Sequence, residues 1–86
     1  MTVEGAVIRE QGQTFAIVIV QSHVIHNPSE AREAQMAVAD LFPGMPIVLM
    51  AQDGRGIPTY YGRRDIVDFL SHISMNRIPW KRYSFG

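Results

Sequence analysis

Eighty-six residues make one domain, near the lower size limit for folding without staples. Lys+Arg and Asp+Glu number eight each, so no net field draws the chain to nucleic acid. There is no cysteine, which removes disulfides, thiolate zinc ligands and a thiol nucleophile, and the 47% hydrophobic content is too high for disorder.

The first two elements read as strands, "VEGAVIRE" (3–10) and "QTFAIVIVQ" (13–21). Gly12 in "EQGQ" supplies a turn between them, so a hairpin is expected. The second strand is apolar on both faces, with Phe15, Ile17 and Ile19 alternating against Ala16, Val18 and Val20. A strand of that kind needs cover on both sides. Its longest apolar run, "FAIVIV", is far short of the about 20 residues that a membrane-spanning helix requires. No charged-then-apolar leader opens the sequence, and a soluble cytoplasmic protein is expected.

"QSHVIHNPSEAREAQ" (21–35) raises the question of a metal or catalytic pair at His23 and His26. Within a continuing strand, an offset of three would set the two on opposite faces. Asn27-Pro28 is expected to start a helix after them, so only an irregular turn could bring them to one ion, with His72 or Asp53 as further ligand. The general-base Glu and i, i+4 spacing of a metalloprotease motif are missing. The favoured reading is packing or helix entry, with a metal-assisted activity at His23 and His26 as an alternative. Asn27 suits an N-cap, Pro28 the first helical position and Glu30 a capping box. Ala31, Ala34, Val38 and Leu41 continue at helical spacing until Phe42-Pro43-Gly44 stops the run.

"MPIVLMAQ" (45–52) is a second strand apolar on both faces, and "DGRG" (53–56) a turn. "IPTYYG" (57–62) is a short strand placed at an edge by Pro58, which cannot donate to a ladder. A second helix is expected over 63–74, with Ile66, Phe69, Leu70 and Ile73 inward. Arg63 and Arg64 sit in its first turn, where acids are usual. With the amide groups after Gly62 they form a candidate anion site, and local neutralisation by Asp65 and Asp68 is the competing reading.

The last stretch, "NRIPWKRYSFG", interleaves Arg77, Lys81 and Arg82 with Trp80, Tyr83 and Phe85 and carries no acid. It is expected as an extended tail over 77–86, because a residue before proline avoids helix. Packing in cis or in a dimer is preferred. A partner surface of Trp80, Lys81, Arg82, Tyr83 and Phe85 follows, and single-stranded nucleic acid comes last.

The segment "GMPIVLMAQDGRGIPTYYGRRDIVDFLSHI" (44–73) looks like the final strand–turn–strand–helix of thioredoxin-like domains. The resemblance implies a cis-proline at Met45-Pro46 and places "SHVIHNP" near the redox motif. Both redox cysteines are absent, so it implies a thioredoxin-like domain without redox activity.

Taken in order, the elements give a single α+β domain, ββαββα, in two or three layers. A four-stranded mixed sheet, two helices and the tail are expected, with residues 15–50 as a right-handed parallel crossover. No Gly-rich nucleotide loop, G-x-S-x-G or paired-carboxylate motif is present, and Ser22–His23 and Ser71–His72 are adjacent pairs that rarely point the right way. The expected function is a small non-enzymatic binding or interaction module without cofactor. An anion or nucleic-acid binder using Arg63, Arg64 and the tail is the runner-up. The expected partner is a second copy or another protein, and no membrane. A homodimer is expected because a sheet apolar on both faces, with two short helices, would leave Phe15 or Val18 and Val48 or Met50 bare.

Overall fold

A computed structural model describes residues 2–10 and 12–84. One mixed sheet of five strands runs in the order β4-β3-β2-β1-β5. β1 (Thr2–Glu10) and β2 (Gln13–Ile19) form the expected antiparallel hairpin. β3 (Ile47–Gln52) lies parallel to β2, so the intervening segment is a crossover between parallel strands. β4 (Pro58–Tyr61) pairs antiparallel with β3 at one edge, where the missing Pro58 N–H costs no ladder bond.

The tail departs from expectation. Residues 81–84 form a fifth strand, β5 (Lys81–Ser84), antiparallel to the first half of β1. Tyr83 turns inward against Phe42, ring centroids 4.9 Å apart at 70°, while Arg82 alternates to the opposite face and stays exposed, as Lys81 does at the strand's start.

The helices take opposite faces. α1 (Ser22–Ile25) and α2 (Pro28–Ala37), with a 3-10 turn at Ala39–Leu41, bury Ile25, Ala31, Val38 and Phe42 on Ala16, Val18, Leu49 and Ala51. α3 (Arg64–Leu70) buries Ile66 and Leu70 on Ala6, Phe15, Ile17, Val48 and Met50. A 3-10 turn at Met75–Arg77, Ile78 and Trp80 extend that cover. The bare sheet face expected from the sequence is therefore absent: Phe15 is 2% exposed, and Val18, Val48 and Met50 are 0%. Three short helices suffice because the 3-10 turns and the tail complete each layer.

Local chemistry sets the boundaries. The Asn27 carboxamide accepts from the Ser29 and Glu30 amides at 3.1 and 3.4 Å, as an N-cap should. The reciprocal capping-box bond is missing, since the Asn27 N–H donates to the Val24 carbonyl. α3 ends at Leu70, not Ser74, because the Ser71 and His72 side chains turn back on the Asp68 carbonyl, 2.8 and 2.7 Å away. The segment resembling thioredoxin-like domains does form strand, turn, strand and helix. The Met45–Pro46 bond is trans, however, as is every peptide bond among the described residues.

Candidate functional site

The residues singled out from sequence do not converge. β2 stops at Ile19, and 22–25 form a helical turn of their own where a strand end and loop were expected. His26 caps that turn: its Nδ1–H donates to the Ser22 carbonyl at 2.8 Å. His23 is exposed on the same turn. Among the described residues, no group of three or more His, Cys, Asp or Glu is placed to hold a metal ion.

Gly62, Arg63 and Arg64 are adjacent, but their chemistry is largely used internally. A Cβ on Gly62 would lie 2.9 Å from Val48 Cγ2, so this glycine lets the chain approach the sheet core. The Arg63 fork closes on Asp65, with Nε donating to Oδ1 at 2.9 Å and an Nη to Oδ2 at 2.7 Å. The Gln13 amide, its oxygen turned inward, accepts from the same guanidinium. The Arg63 hydrogen bonds hold the Asp65 carboxyl down at about 2. Arg64 is exposed.

Four of the tail residues take part in the core or the ladder. Trp80 packs half-buried on the α3 side, its indole N–H donating to the Met75 carbonyl at 3.3 Å. Tyr83 packs on the other side, and Lys81 pairs with Gly5 in the β1–β5 ladder. Arg82 pairs with Glu4 across the same ladder. Phe85 lies outside the described residues.

A different feature stands out, in the unpartnered half of β1. The Ala16 N–H donates to Pro46 and the Val20 N–H to Met50, at 2.9 and 2.8 Å, so alternate residues of β2 face β3. Phe15 and Ile17 must then turn their peptide groups toward β1, where they meet Ile8 and Ala6. It follows that Val3, Gly5, Val7 and Arg9 turn their N–H and C=O groups to the other side of β1. β5 meets the first two of these, and its register ends at Gly5↔Lys81. Val7 and Arg9 face outward with no backbone partner among the described residues.

The cause lies just upstream of β5. Pro79 has no N–H, and the Trp80 N–H folds back on the Ile78 carbonyl at 2.9 Å. Ile78 is 4% exposed in the α3-side core, so the chain cannot also run along β1. A groove of about 380 Å³ opens there between residues 7–10, Phe69 and Ile73, and Arg77 and Pro79. Val7 is 38% exposed, against full burial of its neighbour Ala6. The ion pairs among the described residues are Arg55–Asp53 and Arg63–Asp65, so Arg9, Glu10 and Arg77 all reach this edge unpaired. Sequence reasoning missed the site because a free edge belongs to the partner strand's absence. The available signal was Ile78-Pro79, which limits how far a returning strand can run.

No helix among the described residues is long and apolar enough to cross a membrane. The chain matches no protein-family model, no curated protein and no solved structure.

Proposed function

We propose that this protein is a small non-enzymatic interaction module that takes an extended segment of its partner onto the open half of β1. One observation carries the reading: the outward peptide groups of Val7 and Arg9 have no backbone partner among the described residues and lie beside a groove that mixes Ile8, Phe69 and Ile73 with Arg9, Glu10 and Arg77. Strand addition uses such an edge, with main-chain hydrogen bonds supplying affinity and a neighbouring pocket supplying selectivity. The other edges are poorer. β4 spans four residues and begins at Pro58, and β5 spans four residues and presents Lys81 and Arg82, features that blunt strand pairing.

The reading is tested with peptides selected from a random phage-displayed library and added to labelled protein. Bound peptides should shift the Val7 and Arg9 amides and slow their hydrogen exchange, and Val7→Pro should abolish binding. Selected peptides that bind Val7→Pro equally well, or a library that yields none, would overturn it.

A further inference from the structure

Resting on that reading of the β1 edge, we infer that the strand it accepts is β1 of a second copy. The two sheets join through a two-fold axis at Ile8. The open stretch, residues 6–10, is bounded by β5 at Gly5 and by the hairpin turn after Glu10. Antiparallel pairing about Ile8 sets Ala6 against the second copy's Glu10 and Val7 against the second copy's Arg9. Each outward N–H and C=O of Val7 and Arg9 on both chains then finds a partner.

Other registers fail for stated reasons. A shift by one residue sets Val7 opposite residues whose peptide groups point back into their own sheet. Centring on Val7 brings Arg9 to the second copy's Gly5, where Lys81 already stands. Centring on Arg9 puts two arginines directly opposite, which is unfavourable.

Charge favours the same register. Glu10 arrives beside the second copy's Ala6, the position at which the 77–80 segment leaves the sheet. Arg77 lines the groove there, and neither group has an ion-pair partner among the described residues of one chain. Each copy thus offers an acid and a base to complementary places on the other. At the axis, Ile8 meets the second copy's Ile8 over Phe69 and Ile73, filling the groove with apolar side chains. Five residues a side is a small contact, so the dimer is weak and concentration-dependent.

Sedimentation equilibrium should show monomers at roughly 5 μM and a rising dimer fraction toward roughly 500 μM, the range fitting so small an interface. Hydrogen exchange of the wild-type chain supplies the register. Protection of Val7 and Arg9 should rise with concentration, while Val3 and Gly5 stay protected throughout. Glu10→Arg and Arg77→Glu should each weaken association several-fold, and the double variant should restore it. A monomer at every concentration overturns the second copy as occupant. In that event, library peptides still protecting Val7 and Arg9 would leave the strand-accepting edge standing. A dimer with Val7 and Arg9 unprotected, or charge swaps that do not rescue each other, also overturns the inference.

Discussion

β1 is one strand with two environments. From Thr2 to Gly5 it pairs with β5, and only Gly5 is paired with β2 as well. From Ala6 to Glu10 it pairs with β2 alone, and its other edge is open. Strand-forming character does not explain the difference, since Val7 and Ile8 in the open half are better strand residues than Glu4 and Gly5. Exposure of an edge is here decided about seventy residues away in sequence, by where Ile78 is buried and where Pro79 interrupts the ladder.

The comparison breaks most directly at Trp80. Trp80→Ala removes a half-buried indole from the α3-side core and its bond to the Met75 carbonyl. The expected loss is about 3 kcal/mol in urea unfolding. β5 should fray at the same time, so that Val3 and Gly5 amides exchange as fast as Val7 and Arg9. Unchanged stability would show that Trp80 does not anchor the covered half.

Gly5 marks the boundary between the halves. A Cβ there would stand 2.5 Å from the Ile17 carbonyl oxygen, a main-chain atom that can yield only with the sheet. Gly5→Ala should cost about 2 kcal/mol through forced backbone displacement. An alanine tolerated without loss would mean that β1 and β2 are looser at the boundary than the close approach implies.

The far edge provides a control that leaves β1 untouched. The Tyr60 hydroxyl on β4 is buried without a hydrogen-bond partner among the described residues, and burial raises its pKa. An orphaned buried hydroxyl costs stability that phenylalanine avoids. Tyr60→Phe should therefore gain about 1 kcal/mol, with exchange at both halves of β1 unchanged relative to each other. A loss in thermal unfolding would reveal a partner for that hydroxyl.

Much of the scaffold was legible because its signals are local. The two doubly apolar strands, the Asn27-Pro28 helix start and the Pro58 edge each follow from neighbouring residues. The fifth strand was not, because "KRYS" is short and its pairing with Thr2–Gly5 spans nearly the whole chain. The covered sheet faces escaped for a similar reason, since 3-10 turns carry little periodicity yet bring Ile78 and Trp80 onto the core. At the expected anion site, composition showed the arginines and Asp65 but could not show that the Arg63 fork closes on that carboxylate.

That closure braces the open half of β1 at its far end, which permits the finest distinction between the halves. Gln13 pairs with Glu10 beside the hairpin turn, and its amide oxygen accepts from Arg63, which in turn holds Asp65. The hydrogen bonds from Arg63 lower the Asp65 pKa from 3.8 to about 2. A carboxyl depressed in the folded state stabilises it above the unfolded value and loses that contribution as pH falls through the folded one. The brace is therefore intact at neutral pH and released between about pH 4 and 2, the interval between those values. Carbon-detected titration should place the Asp65 midpoint near the lower figure. Arg63→Gln should return it toward the ordinary carboxylate range and quicken exchange of residues 7–10, leaving Val3 and Gly5 as they were. The pair is solvent-exposed, so the effect on global unfolding should be slight. An Asp65 that titrates in the ordinary range in the wild-type chain would show the Arg63 fork to be open in solution. The anion site at Gly62, Arg63 and Arg64 would then regain its strongest donor.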